Sequence, residues 1–326
     1  MRSSDGEVGR RALLASGLSV ATGLLLGCEQ KRPPPAPLPL PSVLPPPSSS
    51  APELLPAQEL TWSFPDTPVG KMSVVVSVPE RRAPERFPVL IALHGRGETL
   101  KGPTRGARGW IDDYALPKAI ERLRHPPLSS EDLEGFVGSE RLGALNGALA
   151  AVPYGGLVVA CPYLPDMLGG EEPFTRAPPL TRFLVDTLLP KLYAETPALG
   201  TPLGTGIDGV SLGGRGALAV GFARPEAFGS VGSLQAALDV KNADEVVLRA
   251  QRALAKNPKL WLRLVTSSED YYLPALRTVA GALRYAKVRH EFLVTRGPHD
   301  YAWNRGPGAY EMLLFHDRVL RGRDPV

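Results

Sequence analysis

The stretch Gly209-Val210-Ser211-Leu212-Gly213-Gly214 stands between a predicted strand, residues 205–208, and a predicted helix, residues 212–222. Glycines on both sides of Ser211 permit a sharp turn that would raise the serine hydroxyl above the carboxyl end of a sheet. A glycine–X–serine–X–glycine pattern arises by chance roughly 0.2 times in a chain of this composition, so the motif alone is weak. Ser211 is therefore a candidate nucleophile, and this assignment requires a base and an orienting acid elsewhere in the chain.

Predicted strands and helices alternate through the rest of the chain. Short apolar or alternating runs predict strands, the first two of which form an antiparallel pair. These strands are residues 60–64, 71–78, 87–93, 156–161, 205–208, 228–234, 260–266 and 290–294. Apolar residues at helical spacing, or Ala- and Leu-rich composition, predict helices over residues 113–123, 131–138, 180–192, 212–222, 246–254, 273–286 and 312–320. The alternation predicts an α/β fold with a mostly parallel central sheet and helices on both faces.

The predicted strand that leads into the motif is poorer than the others. A strand buried in a parallel sheet is normally a continuous apolar run, as residues 87–93 are. Asp208 is polar, and Gly204 and Gly206 weaken strand formation. The interpretation of Ser211 therefore depends on its partners rather than on this strand.

Three predicted strand ends carry Ser211, Asp270 and His299, in that chain order. The carboxyl ends of parallel strands meet at one edge of a sheet, where reactive groups gather. A serine hydroxyl needs a neutral imidazole to accept its proton, and that imidazole needs a carboxylate to orient it and stabilise its charged form. His299 and Asp270 are the residues that we assign to these roles. Glu269 is a close alternative to Asp270, and Asp239 is a more distant one.

The oxyanion formed in such a reaction needs preorganised hydrogen-bond donors. One candidate is the backbone N–H of Leu212, which follows the nucleophile. The second is expected in the turn His94-Gly95-Arg96-Gly97, with the N–H of Arg96 as the best candidate. His94 is expected to be a structural hydrogen-bonding residue at the base of this turn. The Arg96 side chain either meets an anionic part of a substrate or faces solvent.

The remaining histidines and the second cysteine carry no catalytic pattern. His125, His290 and His316 are predicted surface residues, and Asp300 is a predicted solvated loop residue. Cys161 lies in an apolar run and is predicted to be a buried, inert thiol. Because the sequence has no H-E-x-x-H motif and its histidines are scattered, we predict no metal ion and no cofactor.

From about residue 60 to 322, the chain resembles the α/β-hydrolase superfamily, and within it the esterase-D-like and feruloyl-esterase-like esterases. The likeness is carried by the oxyanion turn, the serine motif, the helix Val185-Asp186-Thr187-Leu188-Leu189-Pro190 and the loop Gly297-Pro298-His299-Asp300-Tyr301-Ala302-Trp303-Asn304-Arg305. The resemblance implies hydrolysis of carboxylic esters through an acyl-enzyme, without a metal. It leaves the acyl and alcohol groups open, since residues 98–150 and 166–180 would shape the pocket. A serine peptidase, an acyltransferase of the same fold and a non-catalytic envelope-binding lipoprotein are the alternatives.

The amino-terminal residues predict export and membrane attachment. Residues 1–27 contain an arginine pair followed by an apolar run, as in a signal peptide. The sequence Leu25-Leu26-Gly27-Cys28 resembles a bacterial lipobox, in which Cys28 becomes the lipidated first residue of the mature chain. Residues 28–57 contain eleven of the 35 prolines and form a predicted polyproline tether. Residues 58–326 form the predicted catalytic domain.

These features predict a protein held in the cell envelope by a lipid anchor, in the periplasm or on the outer surface, and exported by either the general or the twin-arginine route. The formal net charge of +4 is too small to predict nucleic-acid binding. The predicted partners are the membrane, through the N-terminal lipid, and a small-molecule or glycan-linked ester substrate. The oligomeric state is left open.

Overall fold

An eight-stranded sheet forms the centre of the computed structural model, which describes residues 54–166, 174–175 and 177–326. The predicted signal peptide, Cys28 and nearly all of the predicted tether lie outside the described residues. The described strands are, in chain order, β1 Leu54–Leu55, β2 Gln58–Phe64, β3 Met72–Val78, β4 Arg81–Arg82, β5 Val89–Leu93, β6 Val158–Pro162, β7 Thr205–Gly209, β8 Ser230–Leu234, β9 Trp261–Glu269 and β10 Glu291–Pro298.

The order of strands across the sheet is β10-β9-β8-β7-β5-β6-β3-β2. Strand β2 pairs antiparallel with β3 over its whole length and β3 pairs antiparallel with β6, whereas every pairing from β6 across to β10 is parallel. The predicted antiparallel opening pair and the mostly parallel sheet are thus confirmed. Strands β1 and β4 form a separate antiparallel ribbon, which was not predicted because two-residue strands are too short to show alternation.

Helices connect the parallel strands. They are α1 Arg96–Thr99, α2 Gly102–Gly106, α3 Leu116–Arg124, α4 Ser139–Ala151, α5 Ala177–Arg182, α6 Leu189–Glu195, α7 Leu212–Ala223, α8 Ala243–Lys256, α9 Leu273–Tyr285, α10 Tyr301–Trp303 and α11 Ala309–Val319. Turns of π-helix occupy Gly109–Asp113, Phe183–Leu188 and Asn304–Gly308, and turns of 3-10 helix occupy Pro202–Gly204, Pro225–Ala227 and Val240–Asn242. Within the part of the chain that the structure describes, every helix is too short or too polar to span a bilayer.

The structure corrects two predictions of secondary structure. Residues 131–138 form turns instead of a helix, because Glu134 and Gly135 have positive φ angles of 52° and 72° that a right-handed helix cannot contain. The helix of this region follows as α4. Strands β9 and β10 also run beyond their predicted ends at residues 266 and 294, through polar residues that pair along the ladder but carry no apolar signal.

Buried apolar side chains cover both faces of the sheet. Along β5, Val89, Ile91 and Leu93 belong to one apolar cluster, and Leu90 and Ala92 belong to the other. Successive side chains of a strand point to opposite faces, so a strand covered on both sides by apolar side chains is favoured to be apolar throughout. This is why β5 reads as a continuous apolar run in the sequence, whereas the equally buried β7 and β8 also contain polar residues.

The polar residue in the strand before the serine motif has a structural explanation. Asp208 is 2% exposed; its Oδ1 accepts the Gly209 N–H at 2.7 Å, and its Oδ2 lies 3.1 Å from His316 Nε2. His316 Nδ1 lies 2.7 Å from Ser230 Oγ. The prediction that His316 lies on the surface is wrong, because helix α11 packs against β8 and buries this side chain completely. A Cβ at Gly206 would collide with the imidazole, so this glycine makes room for it.

Candidate active site

Ser211 occupies a strained turn between β7 and α7. Its φ and ψ angles are 57° and −114°, a conformation that a residue with a side chain adopts only when its surroundings enforce it. The Ser211 N–H donates to Leu234 O at 2.9 Å, which ties the turn to β8. A Cβ at Gly213 would collide with the Leu93 carbonyl, so the close approach of α7 to β5 requires this glycine. The sharp turn predicted from the motif is present, with the serine at its apex.

His299 and Asp270 follow neighbouring strands and meet at the same edge of the sheet. His299 Nδ1 lies 2.8 Å from Asp270 Oδ1. The carboxylate also accepts the Thr266 hydroxyl at 2.6 Å and the Tyr272 N–H at 2.9 Å. Because an ionised carboxylate only accepts, Nδ1 carries the proton of this bond and Nε2 is the nitrogen left to act as a base.

The structure places the three candidate acids differently. Asp270 has a fully buried side chain in contact with His299. Glu269 is exposed at the end of β9, and Asp239 caps the 3-10 turn Val240–Asn242. Only Asp270 among these three carboxylates is hydrogen-bonded to the imidazole in the described chain. Asp270, the residue after the end of β9, is therefore the acid that contacts the imidazole, whereas Glu269, the last residue of β9, does not.

Two aromatic rings and one amide hold the histidine loop. The Tyr271 ring lies 4.3 Å from the His299 ring, centre to centre, and the Tyr272 ring lies 5.5 Å away with its edge towards it. Gln235 Nε2 donates to Ser267 Oγ at 2.7 Å and to Pro298 O at 2.9 Å, which joins the ends of β8, β9 and β10. The Gln235 contacts were not predicted, because they link residues 32 and 63 positions apart in the chain.

Ser211 and His299 line the same cavity, whose volume is about 190 Å³. The other residues that line it are Gly95, Arg96, Gly97, Glu98, Tyr114, Val210, Tyr271, Asp300, Tyr301 and Asn304. The described contacts contain no hydrogen bond from Ser211 Oγ to His299; such bonds often tighten only when a substrate binds. The predicted nucleophile, base and oxyanion turn are thus brought to one cavity.

The oxyanion turn and the nucleophile turn both lead into helices. Arg96 is the first residue of α1 and Leu212 is the first residue of α7, and N–H groups in the first turn of a helix have no partner within it. The two backbone N–H groups predicted as oxyanion donors, those of Arg96 and Leu212, therefore belong to the first residues of helices α1 and α7.

His94 is buried beneath the oxyanion turn. The Leu164 N–H donates to His94 Nε2 at 2.8 Å, so Nδ1 carries the ring proton and donates it to Gly95 O, also at 2.8 Å. Burial lowers the pKa of His94 from 6.5 to about 4, which keeps the imidazole neutral at neutral pH. His94 is accordingly a structural hydrogen-bonding residue, as predicted.

Arg96 and Asp300 lie near the surface and make polar contacts that the sequence did not predict. The Arg96 guanidinium lies 3.2 Å from the Asp166 carboxylate, and the Arg96 side chain is 57% exposed. An exposed pair of this kind contributes little to stability. Asp300 is exposed, as predicted, and also caps α10 by accepting the Trp303 N–H at 2.9 Å.

The other histidines and the cysteine lie away from the cavity. His125 is exposed, as predicted, whereas His290 is half-buried with its Nδ1 2.8 Å from Val288 O. Cys161 is buried in β6, and burial raises the pKa of its thiol well above the usual value. A thiol held protonated in an apolar strand is a poor nucleophile, in agreement with the prediction.

Three residues of the cavity wall were not anticipated. Glu98 is 1% exposed; its Oε2 accepts the hydroxyl of Tyr114, and its Oε1 accepts the hydroxyl of Tyr301 at 2.7 Å. Burial and the Glu98 carboxylate raise the pKa of both tyrosines. Residues 98–114 show little periodicity in the sequence, so no local signal marked Glu98 or Tyr114, and the contact of Tyr301 with Glu98 spans 203 residues.

The sheet topology and the strained serine turn define the class of fold: the chain has an α/β-hydrolase fold, with His299 and Asp270 in contact at the edge where Ser211 lies. Residues 153–303 match the family model described as "Putative esterase". This match spans 151 of the 326 residues and indicates a carboxylesterase-like enzyme. A comparison with curated protein sequences gives no significant match.

Solved structures share the fold at low sequence identity. A ferulic acid esterase is 17% identical with a TM-score of 0.61, over 81% of this chain and 99% of that chain. The fluorophosphonate-binding serine hydrolase F of Staphylococcus aureus is 12% identical with a TM-score of 0.58, over 81% and 99%. A mutant of the feruloyl esterase module from Clostridium thermocellum, complexed with sinapinate, is 14% identical with a TM-score of 0.53, over 81% and 87%. At these identities the likeness establishes the fold alone.

Proposed function

We propose that this enzyme hydrolyses carboxylic esters with Ser211 as nucleophile, His299 as general base and Asp270 as the acid that orients the imidazole. The observation that carries the proposal is the 2.8 Å contact between His299 Nδ1 and Asp270 Oδ1 beside the strained Ser211 turn. This contact leaves His299 Nε2 as the nitrogen that can receive the serine proton. Asp270 is held by two further hydrogen bonds, so the imidazole is oriented before any substrate arrives.

The reaction proceeds in two halves. His299 Nε2 takes the proton of Ser211 as the hydroxyl attacks the ester carbonyl, and the imidazolium then gives this proton to the departing alcohol. The acyl group is left on Ser211, and His299 next takes a proton from water as the water attacks the acyl-enzyme. The imidazolium returns this proton to Ser211 Oγ as the bond to the acyl group breaks and the carboxylic acid leaves. The backbone N–H groups of Leu212 and Arg96 stabilise the oxyanion in both halves, because each starts a helix beside the serine.

The proposed substrates are small-molecule or glycan-linked esters. The cavity of about 190 Å³ is below the usual size of a site that encloses a whole drug-sized ligand, which favours a site that encloses one part of the ester. Tyr271 and Tyr301 are exposed at this cavity and offer ring surfaces to the rest of the substrate. The feruloyl esterases among the solved relatives support an ester substrate without naming the acyl group for this chain.

A fluorophosphonate probe tests the proposal, since it labels an activated serine covalently. The wild-type enzyme is expected to be labelled, and Ser211→Ala is expected to lose all labelling and all hydrolysis. Ser268→Ala is a suitable control, because Ser268 is an exposed serine at the end of β9. A wild-type protein that does not react would instead favour a binding lipoprotein. A panel of matched esters and amides then separates esterase from peptidase, and an added alcohol acceptor detects acyl transfer.

Export and lipid anchoring form the second part of the proposal. Residues 1–27 are proposed to direct export, Cys28 to carry the lipid, and residues 28–57 to hold the enzyme away from the membrane. The support is the lipobox-like sequence and the proline content of the segment. Mass spectrometry of the mature protein from a bacterial host is expected to find a diacylglyceryl-modified Cys28 as the first residue. An unmodified Cys28 would contradict the anchor, and Cys161 provides the internal unmodified cysteine for comparison.

A further inference from the structure

The peptide groups on both sides of Gly95 are each held by a buried side chain. The Gly95 N–H donates to Tyr114 Oη at 3.1 Å, and His94 Nδ1 donates to Gly95 O at 2.8 Å. The second bond orients the planar Gly95–Arg96 peptide, whose N–H is the proposed oxyanion donor. The first bond orients the preceding peptide. Rotation about Gly95 is therefore restrained from both sides.

The Tyr114 hydroxyl is itself held by Glu98. Its oxygen accepts from Gly95, and its single proton is donated to Glu98 Oε2. Both side chains are buried, with 2% and 1% of their surface exposed. Burial and the neighbouring carboxylate raise the pKa of Tyr114 well above its usual value, so the hydroxyl keeps the proton that this chain of bonds requires.

A buried carboxylate is costly unless hydrogen bonds compensate for the loss of water. Glu98 Oε1 accepts the Tyr301 hydroxyl at 2.7 Å, and Lys101 Nζ lies 3.7 Å from the same oxygen. Tyr301 follows His299 by two residues, so the carboxylate joins the oxyanion turn to the histidine loop. A Cβ placed on Gly95 would lie 3.1 Å from Tyr114 Oη and 3.8 Å from Ser211 Cβ. The hydrogen-bonded side chains of Glu98 and Tyr114 therefore lie close to the nucleophile.

We propose that Tyr114 and Glu98 are positioning residues, which hold the oxyanion turn so that the Arg96 N–H points to the developing oxyanion. The inference rests on the proposed ester hydrolysis by Ser211 and adds to it the residues that preorganise one oxyanion donor. Tyr301 shares the same carboxylate but has no hydrogen bond to the backbone of the turn among the described contacts. Substitution of Tyr301 therefore perturbs the hydrogen bonds of Glu98 without removing a bond to the turn, which separates the two effects.

Two matched phenylalanine variants test this inference. Tyr114→Phe removes the acceptor of the Gly95 N–H, whereas Tyr301→Phe removes an equivalent hydroxyl from the same carboxylate. Loss of an entire oxyanion donor lowers kcat by about 10²- to 10³-fold, so a displaced donor in Tyr114→Phe is expected to lower kcat by about tenfold or more, with KM within about threefold. Tyr301→Phe is expected to retain several times more kcat than Tyr114→Phe. A trifluoromethyl ketone, which forms a tetrahedral adduct on the serine, is expected to lose affinity for Tyr114→Phe by the same factor as kcat/KM.

Equal kcat values in the two variants, or a loss confined to KM, would overturn the inference. Circular dichroism and thermal unfolding establish whether Tyr114→Phe folds. If it does not fold, Glu98→Gln takes its place, because the amide oxygen still accepts from the Tyr114 hydroxyl but forms a weaker hydrogen bond than the carboxylate. An unchanged kcat in Glu98→Gln also overturns the inference. Failure of the proposed function is separate, since it would appear as a Ser211→Ala variant that still hydrolyses the same ester.

Discussion

Replacement of His299 by alanine is expected to reduce kcat for ester hydrolysis by a factor on the order of 10⁶, since without a base the serine hydroxyl is too weak a nucleophile to attack an ester. The side chain lies at the edge of the cavity with 12% of its surface exposed, so the loss should not unfold the protein. Steady-state kinetics with a chromogenic ester measure the effect. Phosphonate labelling should fall with it, because the probe also needs the activated serine.

The matched control for this variant is His290→Ala. His290 and His299 flank the two ends of β10, and His290 lies at the end opposite the cavity. Its removal is expected to leave kcat within about twofold of the wild type, because this half-buried side chain has no contact with the cavity. A His299→Ala enzyme with more than a tenth of wild-type kcat would contradict the assignment of the base.

Asp270→Asn is expected to lower kcat by about 10⁴-fold, which corresponds to about 5.4 kcal/mol of transition-state stabilisation. The amide can present N–H to His299 Nδ1 in place of an acceptor, which favours the wrong tautomer of the imidazole. It also cannot stabilise the imidazolium that forms when Ser211 is deprotonated. The effect is expected in kcat, with the fold retained, because an amide of the same shape can still accept from Thr266 or Tyr272.

Glu269→Gln is the matched control, since it makes the same chemical change in the adjacent residue. Glu269 is exposed at the end of β9 and has no described bond to His299, so kcat should stay within about twofold of the wild type. The opposite ranking of the two variants would assign the orienting role to Glu269. Thermal unfolding of both proteins checks that the comparison is made between folded enzymes.

The order of secondary structure was predictable because burial on both faces of a sheet requires a local pattern. Strand β5, for example, is apolar at every position, and this run can be seen in the sequence without knowing which strands and helices pack against it. The ends of β9 and β10 were misplaced because their last residues are polar and are held by ladder pairing. The helix expected at residues 131–138 failed for a related reason, since the two positive φ angles at Glu134 and Gly135 depend on how that segment folds back on itself.

The candidate site was predictable to the extent that strand ends converge. Parallel strands bring their carboxyl ends to one edge, so chain order alone placed Ser211, the acids and His299 in the same region. The sequence favoured Asp270 but left its neighbour Glu269 as an alternative, because adjacent residues at a strand end point in opposite directions and the exact end of β9 was not predicted. Glu98 and Tyr114 were also invisible, since their roles consist of contacts with the oxyanion turn and with each other.

The sequence by itself determined the class of fold, the serine turn and the region where the reactive groups meet, because each depends on local periodicity and on glycines at set positions. Only the tertiary structure decided that Asp270 is the acid in contact with His299, that His316 is buried against Asp208, and that Glu98 joins the two sides of the cavity. Asp208 and His316 are 108 residues apart in the chain. A contact over such a separation leaves no local pattern, because it exists only once helix α11 has packed against the sheet.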